Sequence, residues 1–216
     1  LTITGGMNGP LDIAVTPDEM TLYVTNSASN QVTVFRKNDK GYFKEDASAS
    51  LTEGLHTPTG IALDPKTGNL YVSSYDDNKI LAFSPDSDGK LQYDATLSIT
   101  ESIAGPYDID ITSDDVLLVT NFNNNEVQGF TKNADGRFVP DPSFLIKNLN
   151  QPISVMGHRD GSVWISNFGA NEIVAFRKSS DGSFTQDTAL TLSEGVKGPN
   201  LLLFSPGDNL YVADLN

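Results

Sequence analysis

One sequence pattern recurs five times along this chain, and each copy begins with a proline that an apolar segment follows. The prolines are Pro10, Pro58, Pro106, Pro152 and Pro199, so successive copies are 48, 48, 46 and 47 residues apart. A fixed period of this length is typical of a solenoid, a propeller or an array of repeats. The elements inside each period decide among these three.

Each complete repeat contains short segments that have the composition of β-strands. The first strand follows the proline and is apolar and β-branched, as expected for a strand that is buried on both faces. First strands are predicted at 11–15, 59–63, 107–111, 153–157 and 200–204, and second strands at 22–26, 70–74, 117–121, 163–167 and 210–214. Third strands, which end in phenylalanine, are predicted at 32–35, 80–83, 127–130 and 173–176.

A tight turn and a weaker fourth strand complete the repeat. The turns contain Lys40-Gly41, Asp88-Gly89, Asp135-Gly136 and Asp181-Gly182, and the Asp-Gly pairs favour two-residue hairpin connections. Fourth strands are predicted, for example, at 97–100 and 189–192. Four antiparallel strands in one period predict an all-β fold, the β-propeller, in which each repeat is a blade.

The repeat boundaries predict one propeller domain over residues 1–216, with repeats at about 10–57, 58–105, 106–151, 152–198 and 199–216. Residues 1–4 match a fourth strand, so segment 1–6 is expected to be the outer strand of a closing blade, whereas the last repeat holds only two strands. We therefore expect four complete blades and a partial, composite fifth. Two alternatives remain open, a five-bladed ring with an imperfect seam and a fragment of a six- or seven-bladed ring, and the start at Leu1 favours the fragment.

The second strand and the turn after it carry a family resemblance. The segment Tyr23-Val24-Thr25-Asn26, followed by Asn30, resembles the YVTN and NHL repeats of lactonase-like, gluconolactonase-type and virginiamycin-lyase-type propellers. Similar copies lie at 71–74, 118–121 and 164–167, so the resemblance covers essentially the whole chain. The resemblance implies the architecture more specifically than the activity, because one fold supports many functions.

Composition excludes several classes of partner. The chain has 28 acidic and 14 basic residues and a formal net charge of −14, without a basic run that could follow a phosphate backbone. We therefore expect neither nucleic acid nor an anionic membrane surface as a partner. Cysteine is absent, so disulfide and thiolate chemistry are excluded. No apolar run is long enough to cross a membrane, and we expect a secreted or periplasmic protein.

Carboxylates and an amide on the innermost strands are candidate metal ligands: Asp12, Asp108, Asp110 and Asn200. Their oxygens could converge on Ca²⁺, which prefers oxygen ligands. Gluconolactonase-like propellers have a similar Pro-Asn-Gly stretch. Pro199-Asn200 matches its first two residues, and Leu201 replaces the glycine. The alternative interpretation is structural, with Asp12 and Asp108 accepting hydrogen bonds from the backbone of a neighbouring strand.

The loops that enter the first strands and those that join the second and third strands are expected on one face, the loop face. Asparagines recur there at positions 26, 121 and 167 and, four residues later in each repeat, at 30, 78, 125 and 171. Asn tolerates left-handed backbone, so these residues are interpreted as turn formers. Aromatic side chains are candidates either for stacking on a sugar or flat ligand or for packing between blades: Tyr75, Tyr107, Phe122 and Phe168.

The sequence offers few catalytic groups. His56 lies just before Pro58 on the predicted loop face and is a weak candidate for a general base in a lactonase-like site. The second histidine, His158, lies in a turn between a first and a second strand, which is expected on the opposite face. No phosphate-binding glycine loop and no zinc-ligand spacing is present.

Two functional hypotheses follow. The first is a non-catalytic scaffold that binds a protein, glycan or small molecule on the loop face, and it fits the regular repeats and the scarcity of catalytic side chains. The alternative, implied by the resemblance, is a calcium-dependent lactone hydrolase or a related lyase with an ion on the propeller axis. The two hypotheses differ in whether the four candidate ligands face one polar channel or end in hydrogen bonds between blades.

Overall fold

Each repeat forms an antiparallel sheet whose strands follow one another in chain order, which is the topology of a propeller blade. The structure is a computed structural model that describes residue 3 and residues 5–215. Within those residues there are four four-stranded sheets and one two-stranded sheet. The predicted propeller fold, with four complete blades and a partial fifth, is confirmed.

The first two blades have the following strands. The first blade contains β1 (Pro10–Val15), β2 (Thr21–Asn26), β3 (Gln31–Lys37) and β4 (Phe43–Glu45), and the second contains β5 (Pro58–Leu63), β6 (Leu70–Ser74), β7 (Lys79–Pro85) and β8 (Leu91–Tyr93). The first strands begin at the prolines themselves. A proline fits the first residue of a strand because its missing N–H leaves no ladder bond unmade.

The remaining blades repeat this order. The third blade contains β9 (Pro106–Ile111), β10 (Leu117–Asn121), β11 (Glu126–Lys132) and β12 (Phe138–Ile146), and the fourth contains β13 (Pro152–Gly157), β14 (Val163–Asn167), β15 (Glu172–Lys178) and β16 (Phe184–Gln186). The partial fifth blade contains β17 (Pro199–Phe204) and β18 (Leu210–Asp214). Short 3-10 turns span Ser27–Ser29, Ala47–Ala49, Phe122–Asn124, Phe168–Ala170 and Thr188–Leu190.

The chain divides into two compact units, Leu1–Thr100 and Glu101–Asn216, with the boundary between the second and third blades. Unit 1 holds two blades, and unit 2 holds two blades and the partial fifth. The single domain expected over residues 1–216 stays a prediction. The predicted outer strand at 1–6 includes residues 1, 2 and 4, which lie outside the described part of the chain. Ile3 packs against a small cluster formed by Leu22, Val24 and Phe35.

The fourth strands differ from the prediction. They follow the hairpin turn directly, whereas segments 97–100 and 189–192 contribute only single bridges, Ile80 with Ile99 and Ile173 with Leu192. In the second blade, an aspartate separates the fourth strand from the bridged segment. Asp94 Oδ1 accepts the backbone N–H of Thr96 at 2.9 Å, and this local turn competes with the sheet ladder.

The hairpins that precede the fourth strands also differ from the prediction of two-residue loops. In the second blade, Asp86 N donates to Lys90 O at 2.9 Å, and Gly89 N donates to Asp86 O at 2.9 Å, so three residues form the loop. Gly89 has φ +75°, the left-handed conformation that such a loop requires at its last position.

Each unit has its own apolar core between its blades. In unit 1, Leu70, Val72 and Phe83 of the second blade pack with Val32 and Val34 of the first. In unit 2 the corresponding cluster includes Leu118, Val127, Ile165, Val174 and Phe176. Within the described residues, no helix is both long enough and apolar enough to cross a membrane.

Aspartates on the innermost strands join adjacent blades within each unit. In unit 1, Asp12 Oδ2 accepts the N–H of Ile61 at 2.9 Å. In unit 2, Asp108 Oδ2 accepts the Oγ–H of Ser154 at 2.7 Å and the N–H of Val155 at 3.0 Å. These bonds satisfy backbone donors that the sheet ladders leave unpaired.

Replacement of these aspartates by alanine should destabilise the chain unequally. Asp108 is 6% exposed, so Asp108→Ala leaves buried donors unsatisfied and should lower the free energy of unfolding by about 2–3 kcal/mol. Asp12 is only half-buried, so Asp12→Ala should cost about 1 kcal/mol because water replaces the carboxylate. Urea unfolding measures both values, and equal losses in the two variants would contradict this account.

Candidate active site

One polar side chain in each repeat holds the loop that leads into the first strand. It belongs to the last residue of the second strand, and it accepts the backbone N–H of the residue two positions before the proline. The donor–acceptor pairs are Asn8–Asn26 at 2.8 Å, His56–Ser74 at 3.0 Å, Ala104–Asn121 at 3.0 Å, Asn150–Asn167 at 2.6 Å and Lys197–Asp214 at 3.4 Å. The same bond therefore fixes the loop in all five repeats.

The residue directly before each proline has a left-handed backbone. These residues are Gly9 (φ +64°), Thr57 (+50°), Gly105 (+58°), Gln151 (+50°) and Gly198 (+60°). For three of them an asparagine of the preceding blade accepts the N–H: Thr57 N to Asn30 Oδ1 is 2.8 Å, Gln151 N to Asn125 Oδ1 is 2.7 Å and Gly198 N to Asn171 Oδ1 is 2.9 Å. These asparagines are themselves left-handed, which confirms their predicted role as turn formers.

This frame presents one variable side chain per loop. The position two before the proline is occupied by Asn8, His56, Ala104, Asn150 and Lys197, and all but Ala104 are exposed. In the second blade the backbone is hydrogen-bonded at His56 and at Thr57, and the neighbouring Leu55 is 2% exposed in the core of unit 1. A functional side chain at this position therefore costs the fold little. His56 occupies it.

The second blade departs from the repeat around His56. Its second strand ends in Ser74, where the other complete blades have asparagine, and the following turn contains Asp76 and Asp77. The corresponding turns have no acidic residue: Ser27-Ala28-Ser29, Phe122-Asn123-Asn124 and Phe168-Gly169-Ala170. The serine keeps the loop bond to the N–H of His56 with a shorter side chain. The two changes together place carboxylates beside the histidine.

His56 and Asp77 form a hydrogen-bonded pair. His56 Nδ1 lies 2.7 Å from Asp77 Oδ2, and Ser74 Oγ donates to the same oxygen at 3.2 Å. The adjacent Asp76 accepts the hydroxyl of Thr57, which fixes the other side of the turn. Within the described residues, His56 Nε2 has no hydrogen-bond partner, and the side chain is 59% exposed.

Electrostatics keep Asp77 ionised. Its burial raises the pKa, but the hydrogen bond and charge of His56, the hydrogen bond from Ser74 and the charge of Lys79 outweigh burial and lower the pKa overall. A carboxylate that accepts the Nδ1 proton holds the imidazole in the tautomer whose Nε2 carries a lone pair. The arrangement therefore presents an oriented base to the solvent.

The sequence patterns point to His56 but not to Asp77, Ser74 or Asp76. The sequence does contain a signal for these residues. Of the four aligned turns, segment 75–77 is the one that contains acidic residues, and the second strand before it ends in serine where the other three end in asparagine. The contact itself joins residues 21 positions apart. It becomes visible when the turns are compared with each other rather than with a motif.

The three aspartates among the candidate calcium ligands accept hydrogen bonds from backbone N–H groups. Besides their bonds to the next blade, Asp12 Oδ1 accepts Ile13 N at 2.8 Å and Asp108 Oδ1 accepts Ile109 N at 2.8 Å. Asp110 Oδ2 accepts Gly157 N at 2.8 Å. In the described part of the chain, no group of three or more His, Cys, Asp or Glu side chains could hold a metal ion. Calcium binding by the four candidate residues stays a prediction.

Asp110 and Asn200 lie on the innermost strands of unit 2, as predicted. Burial raises the pKa of Asp110 to about 6, although hydrogen bonds from the backbone of Gly157 and Ile111 partly offset it. Asn200 follows Pro199 at the start of β17 and is half-buried. Asp110 is therefore an acid whose charge the fold disfavours, rather than one held charged by a cluster of ligands.

The aromatic candidates are all half-buried. In unit 2, the rings of Tyr107 and Phe122 are in contact, with centroids 6.0 Å apart. Phe122 and Phe168 each begin a 3-10 turn, and in unit 1 Tyr75 directly follows the second strand beside Asp76. Tyr75 is thus two residues before Asp77, and its backbone N–H bonds to Thr57, the residue after His56. A stacking role for the four rings stays a prediction.

The second histidine belongs to an ionic network in unit 2. His158 Nδ1 is 2.8 Å from Asp160 and Nε2 is 3.2 Å from Asp208, and Arg159 pairs with the same Asp208. Burial lowers the pKa of His158, but hydrogen bonds and charges of the two aspartates outweigh it and raise the pKa overall. Neutral imidazole has one N–H, whereas two carboxylates require two donors, so the network holds the imidazolium form.

The comparisons with known proteins identify the repeat family. The model of the family described as "Lactonase, 7-bladed beta-propeller" matches residues 4–139. Among curated proteins, no sequence matches.

Solved structures of similar fold come from several bacteria. A protein from Lactobacillus plantarum is 17% identical with a TM-score of 0.79, and the match covers 96% of this chain and 64% of that one. The periplasmic gluconolactonase of Pseudomonas aeruginosa is 17% identical with a TM-score of 0.72, covering 95% and 63%. The virginiamycin B lyase of Staphylococcus aureus is 18% identical with a TM-score of 0.59, covering 99% and 80%. The chain thus spans less than two thirds of the first two proteins.

Asp110→Asn should stabilise the chain at neutral and alkaline pH. The raised pKa means that the folded state binds a proton more tightly than the unfolded state, so the charge costs stability above about pH 6 and the cost disappears as the pH falls towards 4. The neutral amide can still accept the Gly157 N–H. We expect a gain of up to about 3 kcal/mol near pH 8, since the pKa is raised by about two units from 3.8 and one unit equals about 1.4 kcal/mol, and no gain near pH 4. Saturable stabilisation of the wild type by Ca²⁺, lost in this variant, would contradict the account.

His158→Gln should change the pH dependence of stability. The folded pKa of His158 lies above its ordinary value of 6.5. Its contribution is therefore fully present below that value and is lost as the pH rises through the raised pKa. The difference in free energy of unfolding between wild type and His158→Gln should be largest at acid pH and shrink at alkaline pH. Asp110 titrates in both proteins, so its contribution cancels in this difference. A difference that does not change with pH would contradict the proposed imidazolium.

Proposed function

The chain belongs to the lactonase family of seven-bladed β-propellers, and from that premise we propose that it is part of a lactone hydrolase in which His56 is the general base. The family match covers residues 4–139, which include the complete His56 loop and the turn that holds Asp77. Gluconolactonase is the activity named for one structure of similar fold. The chain spans only part of such proteins. The activity of the whole protein is therefore also a proposal.

The observation that carries the proposal is the contact of 2.7 Å between His56 Nδ1 and Asp77 Oδ2. It lies in the only complete blade whose second strand ends in serine and whose next turn is acidic. A substitution that served the fold alone would be expected in every blade, because every blade needs the same loop bond. The local departure from the repeat therefore supports a chemical role.

The pair supplies proton transfer for ring opening. Nε2 of neutral His56 takes a proton from a water molecule while the water oxygen attacks the lactone carbonyl carbon. The tetrahedral intermediate then breaks its bond to the ring oxygen, which takes the proton from the imidazolium, and the product is the open hydroxy acid. Asp77 holds the ring orientation throughout and stabilises the imidazolium that forms after the first step.

This proposal selects the alternative expected from the sequence and modifies it. The family match supports a hydrolase better than a non-catalytic scaffold. The calcium requirement is not carried into the mechanism, because the described residues contain no group of three or more His, Cys, Asp or Glu side chains that could hold a metal ion. A protein or glycan partner on the loop face stays a prediction.

The test is hydrolysis of a panel of neutral and charged γ- and δ-lactones by the purified chain, followed in a pH-stat. His56→Gln removes the base, and kcat should fall by about 10²–10⁴-fold, the usual contribution of a positioned general base. Asp77→Asn can donate to Nδ1 and favour the other tautomer, so a similar loss of kcat is expected with little change in KM.

The matched control is His158→Gln, which removes a histidine outside the site and should leave kcat unchanged. If the wild type accelerates no lactone above the uncatalysed rate, the hydrolase proposal is wrong and the scaffold hypothesis gains support. If His56→Gln retains the wild-type kcat, the activity belongs to other residues.

A further inference from the structure

We propose that Asn30, on the first blade, is a positioning residue for His56 on the second blade, an inference that rests on the proposed function. Asn30 Oδ1 accepts the backbone N–H of Thr57 at 2.8 Å. Thr57 directly follows His56, so this bond fixes the chain at the base from outside the blade that carries it. Both blades belong to unit 1.

Thr57 needs such a bond more than its counterparts do. Its φ is +50°, and the corresponding residues in the first, third and fifth blades are glycine. A left-handed backbone is unfavourable for a β-branched residue, whereas glycine adopts it readily. The threonine conformation therefore persists only where surrounding contacts impose it. Loss of a contact should let residue 57 relax and turn the neighbouring His56.

The second blade supplies the other contacts around this residue. Tyr75 N donates to Thr57 O at 3.2 Å, the Thr57 hydroxyl donates to Asp76, and His56 N donates to Ser74 Oγ at 3.0 Å. All of these partners move with the turn that carries Asp77. Among these hydrogen-bond partners Asn30 is the one that comes from the first blade, so it ties the residue next to His56 directly to that blade.

The reason for keeping threonine is the hydroxyl. Glycine at residue 57 would relieve the backbone but would remove the hydrogen bond to Asp76. Asp76 neighbours Asp77, so this bond holds the acidic turn beside the histidine. Thr57 is therefore kept for its side chain in spite of its unfavourable backbone, and Asn30 of the first blade holds that backbone in place.

The same bond elsewhere in the chain has no base beside it. Asn125 Oδ1 accepts Gln151 N at 2.7 Å, and there the preceding residue is Asn150. Asn125 has φ +56° and Asn30 has φ +52°. Asn125 is therefore a matched control, since its removal deletes an equivalent bond between blades and leaves the His56 loop untouched.

The experiment compares Asn30→Gly with Asn125→Gly. Glycine tolerates the left-handed backbone of both positions, so only the side-chain bond is lost. Three quantities are measured in each variant: the stability to urea, kcat for the best lactone, and the ¹⁵N and ¹H shifts of the His56 ring in long-range correlation spectra. Asn30→Asp retains an acceptor oxygen in a residue that also tolerates this backbone, and it serves as the rescue variant.

Both glycine variants should lose stability to a similar extent. Only Asn30→Gly should move the His56 Nδ1 and Nε2 shifts away from the wild-type tautomer, and its kcat should fall by about tenfold or more with little change in KM, as for misplacement of a catalytic group. Asn30→Asp should restore the ring shifts and most of kcat.

The inference and the function that it rests on fail differently. Wild-type ring shifts in folded Asn30→Gly, or the same change of shifts in both glycine variants, would overturn the positioning role whatever the lactone assay gives. If the ring shifts change in Asn30→Gly alone while no lactone is hydrolysed by any form, the positioning role stands and the hydrolase proposal falls.

Discussion

The architecture depends on one hydrogen bond that no sheet ladder provides. The loop into each first strand carries a backbone N–H that must be satisfied near the end of the second strand, and a side chain at that end accepts it in every repeat. Asn26, Asn121 and Asn167 supply an amide oxygen, and Ser74 supplies a hydroxyl. Because this bond holds the backbone, the exposed side chain of the loop is free to vary.

The second blade uses that freedom. A serine is enough to hold the N–H of His56, and its hydroxyl also donates to Asp77, which contacts the imidazole. The base is thus supported by the same contacts that build a blade, with one changed residue and an acidic turn. In the proposed function, preorganisation of this kind places the base without flexible loops. It also allows a regular repeat protein to carry the proposed chemistry at a single blade.

Much of the fold could be predicted from the sequence, because its strongest signals are local. The prolines and the apolar runs after them predicted β1, β5 and β9 to within one residue, since a proline marks the start of a strand and the run marks its burial. The fourth strands were misplaced because Asp94 and its equivalents form local turns that compete with the ladder. Propensity alone does not reveal which of two hydrogen-bonding patterns wins.

The candidate site could be predicted only in part, because its contacts connect distant residues. His56 was identified, but its partner Asp77 is 21 residues away on another loop. For the carboxylate of Asp12 the sequence leaves two interpretations open, a metal ligand and an acceptor of backbone hydrogen bonds. In the structure its oxygen accepts an N–H from Ile61, 49 residues away on the next blade. A sequence shows that a carboxylate lies on an inner strand. The partner that its oxygens reach depends on how two blades pack.

The most direct test of the account converts the second blade to the pattern of the fourth. Ser74→Asn with Asp77→Ala gives residues 74 and 77 the identities of Asn167 and Ala170. The measurement is the rate of lactone hydrolysis by this double variant and by the wild type, under conditions in which both are fully folded. Because the asparagine still accepts the His56 N–H, the account predicts that the chain stays folded and loses hydrolysis. Hydrolysis at the wild-type rate in the folded variant would contradict it.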